Sequence, residues 1–549
     1  MFSKHRLVAL ALAGALIITS CGGSDKSDSK KPDGTKGDDD TSQVSGVGPE
    51  GTGPAPESVT VAVRIDVDSF DPERSLGDSA AGQSFLFLYD TMVRRSPDGT
   101  ILPGIATKWE MPTPSKGVFT IRDGMTCSSG TPLDATAVAA SIKALGENPS
   151  SLGKSKVFGP DGLAAVTADP AAKTVTIETK SPNNDMLVGL ATAAFIVCPE
   201  GLADPEALRE TPQGSGPYEL VDSKRGDQYT LKLREDYNAW PEGTTAADMP
   251  KTVILKVITN DATAADLVET GKIQIAGILS TDAKRLLEDK ALVSVPADGF
   301  NTNAVLFMQK PANATSDVKL RQGMAMLLDS VQGGAAETQG LGTPRRTLYT
   351  PNIDCFNPDA AAYAPKYDPA AAAKFLDEAG YTKGADGKRT KPDGSKLTIR
   401  VVGNTNQGQI PQFIADSLEK GDFDVDLFVG TYNESIAKLL TDEFDAGSYP
   451  FTDSSPLPSA WQSQIGSNAS ANFGQVNNAE FDRLAQEALA VDTAKDPKGR
   501  CEKWQEAEKV VLEAANVVPM DQPRNHWFGN GVTFNSQYFR IDPFSIRSH

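Results

Sequence analysis

Histidine is almost missing from this chain of 549 residues: His5, His526 and His549 are all there are. His5 falls in the apolar start of the chain. A His-rich zinc site or a two-metal centre therefore cannot be assembled, and a Ser-His-Asp triad would depend on His526 or His549. No G-x-S-x-G, Walker or H-E-x-x-H pattern occurs. The five cysteines include no C-x-x-C pair, which leaves redox or metal chemistry without its usual motif. No block of Lys or Arg offsets a formal net charge of -19, so nucleic acid and anionic lipid should be repelled. The apolar runs at residues 7–18 and 85–89 are too short to cross a bilayer. Carboxylate-only enzyme chemistry is left open by composition, but no pattern points to it, and no catalytic, metal or cofactor site is expected.

What is present suffices for two or three domain-sized cores, with 39% hydrophobic and 23% charged residues. Residues 1–20 combine Lys4 and Arg6 with an apolar run and read as a secretion signal. Ile18-Thr19-Ser20-Cys21-Gly22 resembles the lipobox that is cleaved before a diacylated cysteine; a non-lipidated signal with a chance Cys is the alternative. After Cys21 the chain is Ser, Asp, Lys, Gly and Pro as far as Glu57, with almost nothing to bury. Residues 21–57 are thus expected to be a lipidated cysteine and a disordered tether, with a reach on the order of 30 Å.

Residues 69–145 organise the body. The run 85–89 belongs in a core, and Pro97-Asp98-Gly99 is a turn between apolar segments. Residues 118–121 alternate like a strand that turns at Arg122-Asp123-Gly124. Asp134 is placed to cap a helix with Val138, Ile142 and Leu145 on one face, and Gly146 to stop it. The blocks LYDTMVR, SPDGTILPGIATKWE, FTIRDG and SGTPLDATAVAASI, in this order, resemble the signature of the large bacterial solute-binding proteins of family 5, the peptide- and nickel-binding components of ABC importers. Cys127, Ser129 and Ala137 depart from the usual residues of that signature. The resemblance implies an α/β, two-lobed periplasmic-binding-protein-like fold with an enlarged first lobe, mixed sheets and two hinge crossings. Its parts would be lobe I at residues 58–299 with an extra subdomain, lobe II at 300–518, and a return to lobe I at 519–549.

Further along, SVTVAVRI at 58–65 alternates as a strand, and residues 166–179 read as two strands around Asp169-Pro170. Residues 191–198 form an apolar run that turns at Pro199-Glu200-Gly201. Gly214-Ser215-Gly216-Pro217-Tyr218 resembles a family loop that crosses back into the main sheet. Two β-α-β units, 251–278 and 397–430, imply parallel strands. Tyr367-Asp368-Pro369 opens a helix that Gly380 closes. Residues 443–446 resemble the family's strand leading into the cleft, and 517–520 its return to the first lobe.

The candidate functional residues follow from these placements. Cys127, Cys198, Cys355 and Cys501 allow three disulfide pairings, or buried free thiols; pairing within lobes, 127–198 and 355–501, preserves hinge motion and is favoured. By resemblance, Asp453 is the carboxylate that would fix a peptide's free amine; the alternative is a turn or N-cap residue. Phe451, Trp461 and the loop 69–81 would line the cleft, or the two aromatics belong to a core. Arg345 and Arg346, beside Tyr349, would read a ligand carboxylate or are solvated surface charges. Asp422, Asp424 and Asp426 suggest a solvated strand edge more than a calcium loop, lacking its Gly and closing Glu. The function implied is capture of a peptide or similar small solute by a monomer, lipid-anchored at the outer face of the bacterial cytoplasmic membrane, and delivery to ABC permease subunits. A non-peptide ligand (an oligosaccharide or metal chelate) or a sensor lipoprotein is the alternative.

Overall fold

The computed structural model describes residues 45–549, apart from Thr52, 76–78, Leu152, Asn301, Asn406, Asp442, 450–455, Ser470, Ala494, Pro497 and 538–539. Alternation in SVTVAV sets Val59, Val61 and Val63 on one face of the strand Ser58–Val63, and all three are buried. Ala62 points the other way into a second apolar cluster with Ala265, Ile278 and Phe528. A strand buried on both faces belongs inside a sheet. It is the middle of seven, in the order Leu292–Asp298, Arg524–Asn530, Ile275–Ile278, Ser58–Val63, Thr252–Val257, Gln228–Leu233 and Tyr218–Lys224. The expected β-α-β unit is present and its strands are parallel, but they are not neighbours. Ser58–Val63 lies between them and pairs with both.

A separate antiparallel sheet joins Ala106–Thr113, Lys116–Ile121, Thr174–Thr179 and Leu163–Asp169. The helix Ala135–Glu147 packs on it, and Asp134 accepts from the amides of Thr136 and Ala137, as its position suggested. Gly146 does not end that helix, which runs through it to Glu147. A β-carbon at Gly146 would lie 2.5 Å from Leu163 Cδ2, so the glycine serves close packing rather than termination. Pro199-Glu200-Gly201 likewise opens a short helix, Pro199–Ala203, where a turn was expected; Pro199 stands at its first position, where no amide is needed. Cys127 pairs with Cys198 beneath this sheet, with α-carbons 6.1 Å apart.

The second large sheet has the order Thr343–Pro344, Val517–Gln522, Asn303–Phe307, Ala446–Tyr449, Thr398–Asn404 and Asp424–Gly430. Its own β-α-β unit has adjacent parallel strands, 398–404 and 424–430, linked by the helix Ile410–Lys420. One face packs Leu320, Met324, Ile414 and Leu418, the other Phe444, Phe481, Trp504 and Val511. Asp368 caps the helix Pro369–Glu378, and Gly380 follows it at φ +93°, a conformation a side chain would strain. Cys355 pairs with Cys501. Among the described residues no helix is long and apolar enough to cross a membrane.

The chain passes between the two large sheets twice, from Asp298 to Asn303 and from Gln522 to Arg524. Beyond 519 it stays paired in the second sheet, with Asp521 opposite Asn303, and Pro523 is the crossing residue. The Gly299 amide donates to the Pro523 carbonyl at 2.7 Å, so the two crossing segments hold each other.

Candidate functional site

At the edge of the second sheet from which both crossings leave, the strands end in polar residues that are buried: Asn303, Asn404, Ser448, Asp521 and Gln522, joined by Gln407. Open α/β sheets bind ligands in the crevice beyond such strand ends. Buried polar groups need partners, and here they form a chain. Gln407 Oε1 accepts from the Asn404 amide at 2.9 Å, and its Nε2 donates to the Ser448 carbonyl at 2.8 Å. Ser448 Oγ donates to Glu337 Oε1 at 3.2 Å, and Asn303 Nδ2 to Asp521 Oδ1 at 3.2 Å.

Glu337 and Asp521 face one another with their second oxygens enclosed. Burial pushes the Asp521 carboxyl up to about 7. Burial, and then the charge of Asp521, hold Glu337 well above the carboxylate range. At neutral pH Glu337 keeps its proton and donates it to Asp521, which gives the two otherwise unpartnered oxygens a bond. A β-carbon at Gly342 would lie 2.5 Å from Asp521 Oδ2, so only glycine fits against the pair.

The facing edge of the first sheet carries Asp298, Arg524 and His526. Arg524 bonds Asp298 at 2.6 Å. His526 is buried against Phe528; burial, then the charge of Arg524, push its imidazole down to about 4, so it is neutral. In the neighbouring loop, expected to line a cleft, Asp71 and Glu73 are buried. Asp71 accepts from the Glu73 amide at 2.9 Å, and burial raises Glu73 to about 8. A groove of about 380 Å³ lined by Ser128, Gln213, Glu219 and Asp222 lies along the outermost strand of the first sheet, away from these edges.

Of the residues singled out in the sequence, Asp453 and Phe451 lie outside the described residues, as does Cys21. Trp461 is in the helix Ser459–Ile465, 1% exposed, within the core of the second sheet. Arg345 donates to Gln522 Oε1 at 2.8 Å and so belongs to the crossing, while Arg346 donates to the carbonyls of Ala364 and Pro365. Asp422 and Asp424 are paired with Lys383 and Lys396. Among the described residues no three His, Cys, Asp or Glu are placed to hold a metal ion. Glu337 and Gln407 were not anticipated. Asp521 had a signal, since an acid in the otherwise apolar run VVPMDQ must find a buried partner.

Residues 100–473 match the family model described as bacterial extracellular solute-binding proteins, family 5 Middle. The chain is 25% identical to the nickel-binding periplasmic protein of Escherichia coli over 360 residues, 63% of this chain and 66% of that protein. It is also 25% identical to the periplasmic murein peptide-binding protein MppA of Escherichia coli over 497 residues, 84% of this chain and 87% of that one. Among solved structures, a substrate binding protein from Microbacterium hydrocarbonoxydans complexed with 4-hydroxybenzoate hydrazide superposes with a TM-score of 0.70 at 26% identity. That match covers 90% of this chain and all of the other. The two-sheet architecture, the ordered sequence blocks and the span of the family match agree: the chain belongs to the bacterial extracellular solute-binding proteins of family 5.

Proposed function

We propose that this protein binds a small solute, in the first instance a peptide, in the crevice between its two large sheets and delivers it to the permease of an ABC importer. It works as a monomer outside the cytoplasmic membrane, to which a lipid on Cys21 anchors it. Recognition is closure about the two crossings, and no covalent bond changes.

The observation that supports this best is where the candidate anchor segment is attached. The strand Ala446–Tyr449 ends at the crossing edge beside Glu337 and Gln407, and the described chain resumes at Pro456, whose carbonyl accepts from the Asp354 amide at 3.0 Å. Asp453 falls between these two fixed points in the sequence. A broadly specific peptide carrier must read what all peptides share, their backbone amides and a free amine, and a carboxylate in a closed crevice meets the second need.

Losing one partner of such a pair costs about 2–5 kcal/mol, so Asp453→Asn should weaken binding of a mixed peptide library at least about thirtyfold in calorimetry. N-acetylating the peptides should do the same to the unaltered protein. Full affinity for acetylated peptides, or an unaffected variant, would remove Asp453 as anchor. Absence of heat with any peptide would move the assignment to a non-peptide solute. Of the three relatives above, two are named for nickel and a murein peptide and the third is complexed with a hydrazide, at 25–26% identity to this chain.

A further inference from the structure

A further set of contacts joins the first part of the chain to the second-sheet region, and the first part contributes only side chains to it. Asp185 precedes the helix Met186–Thr192 with helical backbone angles, φ -87° and ψ -2°, and makes no cap bond to it; its own amide donates to Asn183 Oδ1 at 3.2 Å, so Asn183 holds the helix start. Its carboxylate accepts instead from Arg500 Nη2 at 2.5 Å and from the Ser459 hydroxyl, both in the second-sheet region. Its neighbour Asn184 donates to the carbonyls of Ala488 and Val491, at 3.1 and 2.8 Å, where the helix Ala479–Ala490 ends. The Val491 amide also reaches the Ala488 carbonyl, at 3.4 Å, where the helix closes. Asp185 is 2% and Arg500 11% exposed.

Arg500 also faces Asp354 at 3.6 Å, and Asp354 in turn faces Arg95 of the first part of the chain at 3.8 Å, so four charges alternate along the contact. A buried ion pair is costly to break when a charge is stranded, and Arg500 keeps Asp354 when Asp185 leaves. Asp354 and Arg500 directly precede Cys355 and Cys501, so the disulfide fixes the two as a unit. Cys355 sits at φ +69°, a backbone conformation that needs such support.

We propose that Asp185 is a switchable latch: it clasps Arg500 and Ser459 when the crevice is shut, and lets them go when the crevice opens. The clasp holds the closed state without trapping it. The inference rests on the solute-binding reading for its purpose, but its test needs no solute.

The full mature chain, with nothing added, is compared by small-angle scattering and amide exchange as the unaltered protein, Asp185→Asn, Arg500→Gln and the exchange Asp185→Arg with Arg500→Asp. Each single variant should enlarge the radius of gyration and speed exchange across residues 479–491 about tenfold, the size of effect that follows loss of a charge-assisted bond. The exchanged pair should recover both. Unchanged scattering and exchange in both single variants would overturn the switch, as would an exchanged pair that folds, by near-ultraviolet circular dichroism, without recovery. If the exchanged pair does not fold, Asn184→Ala decides: it removes only the two bonds to the helix end and should still speed exchange at 479–491, and no change there overturns the proposal. A calorimetric failure to find any solute would sink the functional reading and leave this result standing.

Discussion

At the crossings, Gln522 Nε2 donates to the Gly299 carbonyl, Thr302 Oγ1 to the Thr347 carbonyl and Thr350 Oγ1 to the Phe300 carbonyl, at 2.7–3.0 Å. At Asp185 the contact is a charged pair reaching from one region to the other. Two of these three acceptors, Gly299 and Phe300, are main-chain oxygens of the first crossing itself, so those bonds travel with the chain as the sheets rotate. The second contact is built on side-chain tips, one of which, Arg500, has Asp354 beside it as well. A hinge needs bonds of the first kind, and a catch needs bonds of the second, because only the second can be exchanged without unfolding.

The largest effect that separates the two comes from the disulfides. They close loops with sequence separations of 71 and 146 residues, and losing either, as Cys127→Ala with Cys198→Ala or Cys355→Ala with Cys501→Ala, should cost about 4 kcal/mol in urea unfolding. Only the second loss should also enlarge the solute-free molecule in scattering, because only Cys355–Cys501 holds the Asp354–Arg500 unit. Enlargement in both, or in neither, would erase the distinction.

A smaller effect contrasts the bonds directly. Gln522→Leu strands the buried Gly299 carbonyl and should cost about 2 kcal/mol without opening the crevice. Arg500→Gln leaves the buried Asp185 with the Ser459 hydroxyl and should cost about 3 kcal/mol, the low end of breaking a buried pair. Denaturant unfolding of both variants tests this, and a cost for Arg500→Gln below that of Gln522→Leu would show that the change strands no charge.

How much of this was legible beforehand depends on how local the cause is. Period-two alternation in SVTVAV and KTVTIET, and the caps at Asp134 and Asp368, act within a few residues, and the elements formed where those patterns lie. Gly146 misled because a glycine chosen for contact with Leu163 looks, in sequence, like one chosen for termination. Asp185 carries no local signal, because its partners lie far along the chain. Glu337 and Asp521 meet only because Ser330–Thr338 packs beside Val517–Gln522, which no periodicity encodes. The candidate anchor at Asp453 came from resemblance alone.

Another effect is spread over pH and acts on the crossing side. The Asp521 carboxyl is raised from 3.8 to about 7 in the folded protein, so the stability it carries is complete below pH 3.8 and drains away as pH rises through about 7. Glu337 acts in the same direction. His526, pushed from 6.5 down to about 4, acts in the opposite one: its contribution is intact above pH 6.5 and is lost as pH falls through about 4. The melting temperature should therefore decline from pH 5.5 to pH 8, and Asp521→Asn should flatten that decline. An unaltered slope in the variant would mean the pair does not share a proton.

The order of strands in the first sheet has a consequence for how the molecule is made. Arg524–Asn530, close to the end of the chain, is seated between Leu292–Asp298 and Ile275–Ile278, which precede it by more than two hundred residues. Until those last residues arrive, both earlier strands present an open edge, with main-chain donors and acceptors facing outward. A nascent chain cannot finish this sheet before Arg524–Asn530 has emerged, and pairing across so long a separation is slow. The first sheet is thereby left open until that strand has been made.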